Sequence, residues 1–153
     1  MHVALFEPEI PPNTGNIARL CAATRTDLHI VGVTGFRMDD RTLKRAGLDY
    51  WGEVTLHRHI ALEDLYAALP GSRFFFLTTK ASRPYSDVLY SPGDCLVFGP
   101  ETRGLPGKLL EERREDCLTI PMSNPSVRSL NLAASVAIVL YEALRQQSFN
   151  AGQ

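Results

Sequence analysis

The stretch Val3-Ala4-Leu5-Phe6-Glu7-Pro8-Glu9-Ile10-Pro11-Pro12-Asn13-Thr14-Gly15-Asn16, running on through Ile17 to Thr26 and into Leu28 to Val33, decides the fold class. Val3 to Phe6 is a short apolar run of strand length that stops at an acid and a proline-rich turn. Asn13 or Thr14 can cap a following helix, in which Ile17, Leu20, Cys21 and Thr24 recur at three- and four-residue spacing and so share a face. Leu28 to Val33 is a second apolar run. A strand, a helix and a strand in succession call for parallel strands with the helix packed across them.

The same alternation continues along the chain. Asp39 and Asp40 are placed to cap a short basic helix containing Arg41, Lys44 and Arg45 and ending at Gly47. A weak strand is expected around Val54 to Leu56, then a helix from Leu62 to Leu69 closed by Pro70-Gly71. Phe74 to Leu77 is an unbroken apolar run of the kind found in strands covered on both faces. Lys80 to Gly93 reads as loop, Cys95 to Phe98 as a buried strand, Leu105 to Arg114 as a helix with Pro106 in its first turn, and Leu118 to Ile120 as a last short strand. A long helix is expected from Ser129, as its N-cap, to about Gln147; its apolar surface is wider than the ~100° stripe one core contact needs, which assigns part of it to another subunit. The expected class is therefore α/β, a mainly parallel sheet flanked by helices, in one domain spanning 1–153.

Composition narrows the function classes. With 44% hydrophobic and 22% charged residues, disordered, collagen-like and coiled-coil chains are excluded. A net charge of −1 means that any contact with nucleic acid must come from a local patch. Cys21, Cys95 and Cys117 are far apart, so three buried reduced thiols are expected rather than disulfides or structural zinc. His2, His29, His57 and His59 contain no metalloprotease spacing, His57 and His59 read as strand-edge surface, and no metal is expected. The first residues lack the basic segment of a signal peptide, and Ser135, Glu142 and Arg145 interrupt the last helix, so a soluble cytoplasmic protein without membrane contact is expected.

The common nucleotide motifs fail. Gly32-Val33-Thr34-Gly35 lacks the dinucleotide spacing, and Leu105-Pro106 stand where a phosphate loop needs Lys and Ser or Thr. What remains is three Pro/Gly-rich loops, each after a strand: Pro11 to Arg19, Phe98 to Leu105 and Ile120 to Leu132. Such loops expose backbone N–H and C=O groups, which suits a purine read by main-chain hydrogen bonds at the carboxyl ends of the strands.

Those three segments, in that order, resemble the motifs of the SPOUT class of RNA methyltransferases, SpoU branch. Glu7 to Asn16, Arg45-Ala46-Gly47-Leu48-Asp49-Tyr50, Leu77-Thr78-Thr79-Lys80 and Gly99 to Leu105 are similar to the small TrmL-type enzymes, which methylate the ribose 2′-oxygen of the tRNA wobble nucleotide; Asn124 to Arg128 departs from their pattern. The resemblance implies a C-terminal deep trefoil knot, a homodimer, and S-adenosylmethionine held in the knot loops, with S-adenosylhomocysteine as product. By position it implies a cofactor pocket of Leu77, Gly99, Glu101, Gly104, Ile120, Met122 and Ser129. It implies catalytic roles for Arg19, Glu101, Ser129 and Asn131 and tRNA contacts from Arg19, Lys80 and Tyr141; the positive cluster of Arg41, Lys44 and Arg45 is read from its charge as a further surface for tRNA phosphates.

Arginine stays charged in nearly every site, so Arg19 is read as a clamp on the nucleotide's phosphate that orients the 2′-hydroxyl rather than as a base. Plainer readings stand beside these. Glu101 and Arg103 can pair across a turn, Ser129 can be only a helix cap, Arg37 to Arg45 only a solvated face, and Tyr141 core or interface. Two other functions fit the same residues: methylation of another tRNA or rRNA ribose, or RNA binding without catalysis.

Overall fold

In the computed structural model, which describes residues 1–39, 41, 45 and 48–147, the apolar runs become six parallel strands. Strand β1 (His2–Phe6) leads to helix α1 (Pro11–Thr24) and β2 (Asp27–Val31), followed by β3 (Leu56–His59), α2 (Leu62–Ala68) and β4 (Phe74–Leu77). Then come β5 (Cys95–Phe98), α3 (Gly107–Glu112), β6 (Cys117–Leu118) and α4 (Leu132–Gln146). The sheet order is β3-β2-β1-β5-β4-β6. The chain steps outward from β1 through β2 to β3, then crosses to the far side of β1 to lay down β4 and fills the gap with β5. Strand order reverses beside β1, the position where α/β sheets open a crevice for ligands.

Both faces of the sheet are covered, so β4 and β5 are buried along their whole length, as their unbroken apolar runs require. On one face Val3, Leu5, Leu28, Ile30, Leu96 and Phe98 meet Ile17 and Cys21 of α1 and Val136, Val139 and Leu140 of α4. On the other, Phe74, Phe76 and Val97 pack with Leu62, Leu65 and Leu105. Each such side chain contributes about 1.5–3 kcal/mol by leaving water. All three cysteines are free and buried, and burial pushes the Cys21 thiol up to about 12, consistent with inert packing.

Several boundaries differ from the sequence reading, each for a local reason. Helix α1 begins at Pro11 with Ile10 as N-cap and no side-chain cap; prolines at its first positions need no N–H partner, so Asn13 and Thr14 lie inside the helix. Strand β2 stops at Val31 because Gly32 turns to φ +81°, and the following strand is Leu56–His59 rather than Val54 to Leu56, since its register is set by pairing with β2. Helix α3 covers only Gly107–Glu112, and β6 only Cys117–Leu118. Of the expected basic helix, Asp40, Lys44 and Gly47 lie outside the described residues, while Arg41 and Arg45 are helical and exposed.

The long helix starts two residues later than expected, and its cap is Asn131 rather than Ser129: the Asn131 side chain accepts the Ala134 N–H at 3.2 Å. Near its other end, Gln146 holds the 78–94 connection, accepting the Tyr90 N–H and donating to the Val88 carbonyl, both at 2.9 Å. No helix among the described residues is long and apolar enough to cross a membrane.

Candidate active site

A cleft of about 640 Å³ opens at the carboxyl ends of β4, β5 and β6. Its position follows from the strands: Leu77 ends β4, Phe98-Gly99 leave β5, and Thr119-Ile120 leave β6, so three chain segments emerge side by side. Gly99 is what lets the middle loop close. A Cβ there would sit 2.4 Å from the Leu105 nitrogen and 2.5 Å from the Gly104 carbonyl carbon, so only glycine allows the loop to double back. Gly104 completes the return with φ +68° and a hydrogen bond from its N–H to the Pro100 carbonyl.

Two glutamates lock that loop to the one after β1. The Glu101 carboxylate accepts the N–H groups of Glu9 and Ile10 at 2.9 and 2.6 Å, and the Asn13 amide at 3.3 Å. In return the Glu9 carboxylate accepts the N–H and hydroxyl of Thr102, at 2.9 and 2.7 Å. The Thr102 N–H, and after it the hydroxyl, holds the Glu9 carboxyl below the usual carboxylate range. Asn13 then passes the network on, its carbonyl accepting the Asn131 amide at 3.1 Å. First, second and third loops are thus tied through Glu9, Glu101, Asn13 and Asn131. The expected Glu101–Arg103 pair does not form, because both Glu101 oxygens face backbone N–H groups; Arg103 lies instead 3.5 Å from Glu7 and 3.8 Å from Glu9.

Leu77, Gly99, Glu101, Gly104, Ile120, Met122 and Ser129 all line the cleft, and so do Lys80 and Asn131. Arg19, Arg41, Arg45 and Tyr141 are not among the lining residues, and Lys44 lies outside the described residues. Arg19 is exposed on α1, its guanidinium 4.8 Å above the Tyr50 ring and within 3.5 Å of the Tyr50 hydroxyl. The lining also includes Ile10, Asn13, Thr78, Thr79, Leu105 and Ser135; the first five lie within the sequence motifs, which give none of them a role in the site. Ser135 had no signal, being one helical turn beyond Asn131, to whose carbonyl its hydroxyl donates at 3.1 Å.

The wall of the cleft combines aliphatic side chains, hydroxyls and backbone, and its carboxylate, Glu101, already accepts N–H donors at both oxygens. That donor set suits an adenosine: apolar contact for the base, backbone groups for its edge, hydroxyls for the ribose.

Comparison with known proteins bears on this arrangement. Residues 1–141 match the model of the SpoU rRNA Methylase family. The chain is similar to a tRNA (cytidine(34)-2'-O)-methyltransferase of Methylovorus glucosotrophus, 51% identical over 148 residues that cover 96% of each protein. It superposes with a TM-score of 0.91 and 44% identity on a structure concerned with the 2-OH methylation of C/U34 on tRNA, covering 96% of this chain and 95% of that one. It also superposes on an AdoMet-bound rRNA methyltransferase from Sinorhizobium meliloti, with a TM-score of 0.81 and 28% identity, covering 94% of this chain and 55% of that one.

Proposed function

The chain belongs to the SpoU rRNA methylase family, and from that premise we propose that it is a tRNA 2′-O-methyltransferase that uses S-adenosylmethionine to methylate the ribose of the wobble nucleotide, cytidine or uridine 34. The observation that carries this reading is the cleft itself: every residue assigned by position to the cofactor pocket lines one cavity at the carboxyl ends of β4, β5 and β6.

The donor supplies an electrophilic methyl on a sulfonium. The chain's residues do the rest. Backbone from Gly99 to Leu105 and from Thr119 to Met122, with Leu77 beneath, would hold the adenosine and fix the direction in which the methyl points. Glu101 is a positioning residue, since its oxygens clamp the first loop and leave none aimed at a nucleotide. Asn131 and Ser129 sit at the mouth, where the ribose would enter. With the donor bound, its sulfonium would supply the methyl to the 2′-oxygen and leave as the neutral thioether, and the hydroxyl proton would pass to a phosphate oxygen or water; the residues around the cleft would hold oxygen, methyl carbon and sulfur in line. Aligning these three atoms supplies up to roughly 7–11 kcal/mol of the barrier in ideal cases, so rigid loops matter more than any strong base.

Arg19 grips the nucleotide's phosphate and orients the hydroxyl. Because its side chain lies outside the cleft of its own chain, the reading includes a homodimer in which a second copy delivers it. The apolar side chains exposed around the cleft, Ile10, Val127 and Leu130, with Tyr141 43% exposed on α4, support such an interface. Exposed Arg41, Arg45 and Lys80 extend the cationic track for tRNA, making affinity fall with salt. The reading also includes the trefoil knot. Thr119 donates to the Arg83 carbonyl and accepts from the Tyr85 N–H, while α4 lies under the same 78–94 connection that Gln146 holds. A cytoplasmic location follows from the substrate.

Incubation with unmodified tRNA and methyl-labelled donor, followed by nuclease mapping and mass spectrometry, tests the proposal. A single 2′-O-methyl at nucleotide 34 is expected. A methyl at another nucleotide would transfer the substrate to another ribose, and donor binding without transfer to any tRNA would favour the non-catalytic reading.

A further inference from the structure

Away from the cleft, four histidines from three strands converge on one face of the sheet. Parallel register sets His29 of β2 opposite His57 of β3 and opposite Ala4 of β1, and side chains two residues apart share a face, so His2, Asp27, His29, His57 and His59 all point the same way. His29 is fully buried at their centre, its ring stacked on His57 at 4.6 Å between centroids and on His59 at 5.2 Å. None of the five lines the cleft.

Their polar atoms are arranged in two shells. His2 Nδ1 and His29 Nε2 are 3.1 Å apart, and one ring nitrogen from each histidine and an Asp27 carboxylate oxygen all lie within 4.8 Å of one another. Two nitrogens bound to one tetrahedral zinc ion, each at about 2.0–2.1 Å, stand roughly 3.3 Å apart. The other two histidines brace these three: His29 Nδ1 is 2.9 Å from His59 Nε2, and His57 Nε2 is 3.0 Å from Asp27 Oδ2. A His29 that donates its Nδ1 proton to His59 turns the lone pair of Nε2 toward His2 and Asp27, and a His57 that donates to Asp27 holds the carboxylate in place. Outer groups that fix the tautomer and orientation of inner ones are the usual companions of metal ligands. Asp27 and His57 have side chains 36% and 42% exposed, so solvent reaches the remaining coordination position.

We propose that His2, Asp27 and His29 bind one divalent transition-metal ion of the zinc class, with His57 and His59 as positioning residues. Two nitrogens and one carboxylate with an open fourth position suit zinc, cobalt or nickel and not magnesium or calcium, which need more oxygen ligands. The ion would pin β1 to β2 and, through the two outer histidines, hold the edge strand β3.

The test uses the full chain without a histidine tag, stripped with a chelator and titrated with Zn²⁺ by calorimetry. One ion per chain at micromolar affinity or tighter is expected, with a Tm that rises with zinc concentration and intense tetrahedral bands when Co²⁺ replaces zinc. Asp27→Asn should abolish the stoichiometric site, and His57→Ala and His59→Ala should weaken it about 10–100-fold. Those three side chains lie at the partly exposed rim, so the outcome does not depend on whether the buried His29→Gln variant folds. No stoichiometric binding, or an affinity unchanged in both Asp27→Asn and His57→Ala, would overturn the proposal and leave the histidines as a hydrogen-bonded network alone.

Discussion

In β4, β5 and β6 every residue is buried, and polar groups begin only where the strands end. In β1, β2 and β3 polar side chains lie within the strands, with His2, Asp27, His29, His57 and His59 sharing one face. The first half can serve only as a rigid base, so its chemistry resides in loops that present backbone. The second half has an open edge at β3, and its polar groups satisfy one another across strands. One parallel sheet thus offers two kinds of site, loops at the strand ends and side chains across the strands.

The largest expected effect tests whether the cleft half is complete in one chain. Arg19→Ala should lower methyl transfer at least ~10²-fold while leaving donor affinity, read by calorimetry, unchanged; Arg19→Lys should recover part of the loss. Mixing Arg19→Ala with a variant whose cleft is disabled should restore activity if the arginine is delivered by the second copy. Full activity of Arg19→Ala would mean that the cleft half needs nothing from outside.

Next is Gly99→Ala, which forces a methyl group into the backbone of Gly104 and Leu105. Overpacking of this kind costs about 1–3 kcal/mol, and donor affinity should fall at least tenfold as the loop opens. A normal affinity by calorimetry would show that the doubled-back loop is not what holds the donor.

Glu101→Gln keeps shape but removes the charge from the hydrogen bonds to Glu9 and Ile10, and about 1–2 kcal/mol of stability should be lost in denaturant unfolding. As a positioning residue it should reduce kcat more than it raises KM for tRNA. Asn131→Ala removes both the α4 cap and the link to Asn13, for about 1 kcal/mol.

The smallest effect lies in the other half. Ile60, 90% exposed at the end of β3, can become Ser with stability held within ~0.5 kcal/mol and methyl transfer unchanged. A loss of activity there would extend the site across the whole sheet.

The same contrast explains what the sequence made legible. Apolar runs such as Phe74 to Leu77 and the Pro/Gly-rich segments after each strand are local patterns, so the strand–helix alternation and most cleft residues could be found from spacing and motif alone. Asn13 was readable only as a possible cap, because its bond to Asn131 joins residues 118 apart in the chain. Likewise His2, His29 and His57 become neighbours only through strand register, and β3 itself was placed early because edge strands carry weak apolar patterns. The position of Arg19 outside its own cleft left no trace in its motif.

Crystals grown with S-adenosylhomocysteine offer the most direct measurement. Density for the nucleoside between the Gly99–Leu105 and Thr119–Met122 segments is the expected result. Density at any other surface, or a cleft filled by the protein's own side chains in crystals that bind the compound, would contradict it.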